Sequence, residues 1–105
     1  MSKNVWIGLV NLVPKEGNND LEGALGAYVN ILAFAEDEES YKKLVEFAAY
    51  EHEYDVEEIK DVELFEKRVS NFEVEDDIKI LAEKVKETEK THFGEFYVYE
   101  NEEDK

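Results

Sequence analysis

Residues 51–64 of the chain read EHEYDVEEIKDVEL. Six of the seven odd-numbered positions from 51 to 63 are acidic, and the even positions include Tyr54, Val56, Val62 and Leu64. Successive side chains of an extended chain point to opposite faces, and same-face neighbours lie about 6.6 Å apart. The alternation therefore predicts a strand that presents a row of carboxylates on one face and anchors itself through the other.

Ile59 is the apolar exception in this acidic row. A β-bulge near Glu57 and Glu58 would turn the Ile59 side chain toward the core, because the extra residue of a bulge reverses the faces that follow it. The strand is equally compatible with a place at the edge of a sheet, where charged side chains are common.

Two apolar segments precede the acidic strand. Residues 5–13 are mostly apolar at odd and even positions alike and end at Pro14, which predicts a largely buried strand. Residues 15–26 are rich in Gly, Asn and Asp, which predicts a loop. Residues 27–35 are almost wholly apolar, and we expect a second buried strand there. A helix is the alternative for this segment, because helical spacing is matched by Leu21, Leu25, Tyr28 and Leu32.

Two helices are predicted on either side of the acidic strand. The first begins at the capping residue Asp37 and ends near Tyr50, and its apolar positions are Tyr41, Leu44, Val45 and Ala48. The second begins at Asp76 or Asp77, and its apolar positions are Ile78, Leu81, Ala82 and Val85.

The remaining segments complete the predicted order. Residues 65–75 predict a connection that tucks Phe65, Val69 and Phe72 into the core, and residues 91–99 predict a last strand. The resulting order is ββαβαβ, whose strand–helix–strand units favour parallel crossovers. We therefore expect an α/β (α+β) two-layer sandwich, with a four-stranded mixed sheet and two helices on one face. Residues 1–99 are predicted to form one domain, and residues 100–105 a flexible acidic tail.

Charge and composition limit the partners and chemistry. The chain carries 28 acidic and 12 basic residues, a net charge of −16, and residues 36–66 hold thirteen of the acidic ones against three basic ones. Such a field repels nucleic acid and anionic membranes and attracts basic proteins. The absence of cysteine excludes disulfides, thiolate metal sites and cysteine nucleophiles. The first apolar run is shorter than the ~20 residues of a membrane span, and we expect a cytoplasmic protein.

Metal-site motifs are not supported. Asn18, Asp20 and Glu22 echo the start of a calcium loop, but the twelfth position is Val29 where the loop requires a glutamate. We expect instead a loop stabilised by Asn and Asp side chains. His52 lies between two glutamates, but neighbouring side chains of a strand point apart and cannot readily share one ion.

Catalytic motifs are missing as well. The serines lie outside any Gly-x-Ser-x-Gly turn, and no phosphate-binding glycine loop is present. With 28 carboxylates in the chain, any one pair of them is uninformative. We expect a protein that is not an enzyme and that needs no cofactor.

Tyr97 and Tyr99 share one side of the last predicted strand with Glu95. Aromatic rings beside carboxylates suit an interface for arginine-rich proteins, through stacking and charge-assisted hydrogen bonds. The alternative is that the two tyrosines cover an open sheet face.

The chain resembles the small acidic immunity proteins of bacterial contact-dependent inhibition and polymorphic toxin systems. The resemblance lies in the overall architecture, the acidity and the segments VWIGLV (5–10), GAYVN (26–30), YDVEEI (54–59) and DVE (61–63). It implies stoichiometric binding of a cognate basic toxin domain, often a nuclease, by a protein without catalytic residues.

The acidic row supplies the expected contact residues for such a partner, together with the two tyrosines. They are Glu53, Asp55, Glu57, Asp61, Glu63, Tyr97 and Tyr99. The protein itself is expected to be a monomer or a weak homodimer. The alternative function is a dimeric regulatory or ligand-binding domain that uses the open sheet face.

Overall fold

The computed structural model describes residues 2–100, and in that range it contains four strands and three helices. In chain order they are β1 (Asn4–Pro14), β2 (Gly26–Ala35), α1 (Glu38–Glu51), β3 (Tyr54–Leu64), α2 (Phe65–Asn71), α3 (Asp76–Thr88) and β4 (His92–Tyr99). The predicted strand at 27–35 is confirmed, and the helical alternative for it is wrong. Residues 101–105 of the predicted tail lie outside the described residues. No helix in the described part of the chain has the length and apolar character to cross a membrane.

The four strands form one sheet in the order β3-β1-β2-β4, and every neighbouring pair is antiparallel. The predicted mixed sheet is therefore wrong. β2 and β3 do run in the same direction on either side of α1, as a crossover requires, but β1 lies between them and pairs with both. Because β1 separates β2 from β3, these two parallel strands do not pair with each other, and each of them has β1 as an antiparallel neighbour.

The helices lie on both faces of the sheet, so the prediction of two helices on one face is also wrong. Ile31 packs in one core cluster with Val45 of α1, whereas its neighbour Leu32 packs in a second cluster with Ala82 and Val85 of α3. Adjacent residues of a strand point to opposite faces. This two-sided burial explains why β1 and β2 are apolar at both odd and even positions.

The acidic segment forms β3, at one edge of the sheet, as its alternation predicted. A register shift lies opposite Asn11 and Leu12, where Glu57 is the extra residue, and Ile59 beyond it pairs with Val10 and packs against the core. The predicted bulge and the predicted edge position are thus both confirmed. A second shift follows near Asp61, whose φ of 56° is in the left-handed region.

The segment after β3 differs from its predicted form. Residues 65–71 form the short helix α2 in place of an irregular connection. Phe65 packs against the second core cluster as expected, but the side chains of Val69 and Phe72 are 41% and 62% exposed. The expectation that these two residues enter the core is wrong, because α2 turns them away from the sheet.

Helix α1 is anchored through one tyrosine. Asp37 caps the helix by accepting a hydrogen bond from the Ser40 backbone N–H at 2.8 Å. One turn later, fully buried Tyr41 passes over Gly8 of β1 and donates its hydroxyl to the carbonyl of Ile31 at 2.8 Å. A Cβ at Gly8 would lie 2.6 Å from the Tyr41 Oη, so the absence of a side chain there permits this contact.

We expect Gly8→Ala to lower the free energy of unfolding by about 1–3 kcal/mol, because the added methyl overlaps a packed ring. Chemical denaturation measures the loss. The double variant with Tyr41→Phe removes the nearest clashing atom and should recover part of it. Strictly additive effects of the two substitutions would contradict the proposed contact.

Alkaline pH offers a second measurement of the Tyr41 contact. Burial raises the pKa of the Tyr41 hydroxyl well above its ordinary value of 10.0. The folded state therefore holds this proton more tightly, and the resulting stability is present below pH 10 and declines as the pH rises further, by up to about 1.4 kcal/mol per pH unit.

Tyr41→Phe should accordingly cost about 1 kcal/mol at pH 8, through the lost hydrogen bond. The difference in the free energy of unfolding between Tyr41→Phe and the parent protein should narrow above pH 10, as measured by urea titrations. Tyr50→Phe, at a residue that is 70% exposed, is the matched control. A gap that stays constant from pH 8 to 11 would contradict this account.

Candidate protein-binding groove

The face of the sheet that carries α3 is only partly covered. Val5, Ile7 and Leu32 lie beneath the helix in the second core cluster. Leu9 and Asn30, the next pair on the same face, are half-buried. At this point a groove of about 780 Å³ opens between the sheet and the segment that links α2 to α3.

The groove combines an apolar floor with charged walls. Its floor is formed by Ile7 and Leu9 of β1, with the polar Asn30 of β2 beside them. Its walls are formed by Asp61, Val62, Glu63, Lys67, Arg68, Phe72, Glu73, Val74, Glu75, Ile78 and Tyr97. Four of these wall residues are acidic and two are basic.

Arg68 ties two of the predicted contact residues together. Its Nε donates to the Glu63 carboxylate, and an Nη atom donates to the backbone carbonyl of Asp61 at 2.9 Å. The Arg68 and Glu63 side chains are each about one-fifth exposed. The guanidinium therefore fastens α2 to the second bulge of β3 and compensates the charge of Glu63.

The segment from Phe72 to Glu75 forms the outer rim of the groove. Phe72 ends α2 in an extended conformation, and its N–H donates to the Arg68 carbonyl at 2.9 Å. Glu75 begins α3, also extended, and its carbonyl accepts hydrogen bonds from the backbone of the first turn. The chain between the two helices is thus stretched across the groove and places Phe72, Glu73 and Glu75 at its mouth.

Sequence reasoning missed these rim residues. The available signal was Phe72 itself, a large aromatic residue flanked by Asn71 and Glu73, with Val69 three residues before it and Val74 two residues after it. A large apolar side chain in such a setting is as compatible with an exposed rim as with a core.

The predicted contact residues divide between three places. Asp61, Glu63 and Tyr97 come together around the groove, although β3 and β4 are opposite edges of the sheet. Tyr97 is 49% exposed there.

Asp55, at the start of β3, and Glu53, just before that strand, lie outside the groove. The Glu53 carbonyl accepts hydrogen bonds from the Lys15 backbone at 3.0 Å and from the Asn18 side chain at 2.8 Å. The Asp55 carboxylate forms an ion pair with Lys15 at 2.9 Å. Asn18 also accepts a hydrogen bond from the Asp20 backbone, which confirms the loop stabilised by polar side chains.

Glu57 and Tyr99 belong to a polar cluster around Asn11 of β1. Buried Asn11 donates to the Glu57 carboxylate at 3.4 Å and accepts a hydrogen bond from the Tyr99 hydroxyl at 2.7 Å. Tyr99 is 5% exposed and packs beside the ring of Tyr28. Tyr99 therefore covers the sheet and offers little surface to a partner.

Among residues 2–100, no group of three or more histidine or carboxylate side chains is arranged to hold a metal ion. The His52 ring packs against Phe93 at a centroid distance of 5.3 Å. His92 lies 3.1 Å from the Thr88 hydroxyl through its Nε2.

No protein family, curated protein or solved structure matches this chain.

The composition of the groove indicates the kind of surface that it could bind. An apolar floor supplies contact area, exposed rings stack on guanidinium planes, and carboxylates at the rim accept charge-assisted hydrogen bonds. These features suit a basic and partly apolar protein surface.

We expect Arg68→Met to lower the free energy of unfolding by about 1–2 kcal/mol, because Glu63 would lose its partner at a partly buried position. Arg68→Lys should recover little of this stability, because the lysine ammonium lacks the planar, forked set of N–H donors with which the guanidinium reaches both acceptors. Urea denaturation measures both variants.

Lys67→Met is the matched control, because Lys67 lines the same groove on the same helix. Equal losses for Arg68→Met and Lys67→Met would show that the bridge has no structural role.

Proposed function

We propose that the protein is a non-catalytic binding protein of the immunity or inhibitor type, which neutralises a basic toxin domain by holding part of its surface in the acidic groove. The observation that supports this proposal is the convergence of Asp61, Glu73 and Glu75 with the exposed rings of Phe72 and Tyr97 around one apolar floor. Aromatic residues with an acidic surround have the composition of an energetic centre for a cationic partner.

The negative charge of the protein and the apolar surface of the groove have separate roles in this proposal. The net charge of −16 attracts a basic partner over long distances, which raises the association rate and makes it salt-dependent. The rings and the apolar floor are desolvated only on contact, and they slow dissociation. A partner arginine that stacks on Phe72 could reach the carboxylates of Glu73 or Glu75 beside it.

A second candidate is a regulatory domain that binds a small ligand in the same groove or dimerises through it. The volume of about 780 Å³ falls in the range of small-molecule sites and favours this candidate. A symmetric dimer is opposed by the charge, because it would bring two sets of groove carboxylates together. Sedimentation that detects only monomer at high concentration would exclude the dimer.

The proposed function predicts a defined set of binding changes. The protein should retain one basic protein from extracts of its native cell at low salt. We expect the triple variant Asp61→Asn, Glu73→Gln and Glu75→Gln to bind that isolated protein at least about tenfold more weakly, with slower association at low salt. Phe72→Ala and Tyr97→Ala should mainly accelerate dissociation. Surface plasmon resonance at several salt concentrations separates the two effects.

The matched control neutralises three exposed acids away from the groove, by Glu16→Gln, Glu83→Gln and Glu87→Gln. Both triple variants have the same net charge, so a difference between them reports position. Equal weakening by the two sets would reject the groove as the contact surface and leave only a general effect of charge.

A further inference from the structure

The two edges of the sheet are protected to different degrees. β3 carries six charged residues and is broken by two register shifts, which discourage another strand from pairing with it. β4 has one register shift, near Gly94 and Glu95, and continues as Phe96, Tyr97, Val98 and Tyr99 without a charge or a proline. Tyr97 and Val98 are about half exposed. β4 is therefore the edge at which backbone pairing with another chain is least hindered.

A hollow flanks β4 on each face of the sheet. On the α3 side, a hollow of about 230 Å³ is lined by apolar Ile80 and Leu81 and by Glu75, Asp77 and Glu95. Lys84 is its basic member. On the opposite side, a hollow of about 430 Å³ is lined by Leu21, Phe96 and Val98, with Asp20 and Glu22 as its charged residues. Both hollows combine apolar surface with carboxylates.

We propose that the β4 edge binds an extended segment of another protein as a fifth strand, and that this segment carries lysine or arginine on both of its faces. Main-chain hydrogen bonds to β4 would provide affinity, and side chains that alternate between the faces would enter the two hollows. The stems of lysine and arginine fit apolar walls while their charged ends reach carboxylates. The carboxylates of the two hollows select a basic segment.

A second copy of the chain is a poor occupant by the same reasoning. Pairing β4 with another β4 would bring Glu95 and the surrounding acids close to the same residues of the partner copy. Each copy also carries a net charge of −16, which opposes association.

This inference goes beyond the groove proposal and does not depend on it. Glu75, Ile78 and Tyr97 line both the groove and the adjacent hollow, but the strand edge proposed to bind the segment is that of β4. The experiment therefore reads backbone hydrogen bonds of β4, which binding in the groove would not form.

The probe is the synthetic peptide Lys-Val-Val-Lys-Lys-Val-Val-Lys, whose strand form presents lysine and valine on both faces. Amide hydrogen exchange, measured by NMR on the whole protein, follows residues 96–99, the part of β4 beyond its register shift. Alternate amides of an edge strand point out of the sheet, so every second amide should exchange at least about tenfold more slowly when the peptide is present.

A control peptide of the same charge carries proline at two of the valine positions, cannot complete a ladder, and should leave exchange unchanged. Protection without the two-residue period, or none at millimolar peptide, would overturn the proposal. Alternate protection that grows with protein concentration alone would assign the edge to a second copy and would also overturn it.

Variants separate this edge from the groove. Val98→Lys places a cation on the edge strand and should remove most of the peptide-induced protection. Asp61→Asn with Glu73→Gln alters only residues of the groove and should leave that protection intact. If the groove pair removes the protection and Val98→Lys does not, the peptide binds in the groove and the edge proposal fails.

Discussion

The contact of Tyr41 with Gly8 and the Ile31 carbonyl is the constraint on which the architecture depends. It joins the first turn of α1 to both central strands at once, through a ring over β1 and a hydrogen bond to β2. Because α1 is held across β1, the chain that leaves its C-terminal end returns on the far side of β1. β3 is therefore an edge strand, and the sheet is antiparallel throughout.

The groove is a consequence of this arrangement. With α1 on one face, the second face of the central strands needs its own cover, and α3 supplies it only over Val5, Ile7 and Leu32. α2 leads the chain from the β3 edge toward α3, so the link between the helices passes beside the uncovered half of the face. The groove thus exists because a helix of thirteen residues does not cover strands of ten and eleven residues completely.

The sequence predicted the features that depend on local periodicity. The strand at 54–64, its bulge before Ile59 and the capped helix after Asp37 follow from side chains within a few residues of one another. The strand order was not predictable in this way, because it depends on a glycine in β1 that admits a tyrosine from α1, more than thirty residues away. Nor was the Arg68 bridge, since its acceptors are brought into reach by a bulge and by a helix that carries no strong capping signal.

The location of the accessible charge also depends on contacts between residues that are distant in the sequence. In an unbroken strand the acidic row would form one surface, but the two bulges redirect it, Lys15 compensates Asp55, and Arg68 compensates Glu63. Exposed acids remain beside large apolar side chains in two places: around the groove and the adjoining hollow, and at the end of α1, where Glu51 and Glu53 lie near Phe47 and Tyr50. A partner that recognises charge together with apolar surface would therefore find both at the groove, whereas the alternating segment of β3 would act mainly through its contribution to the long-range negative field.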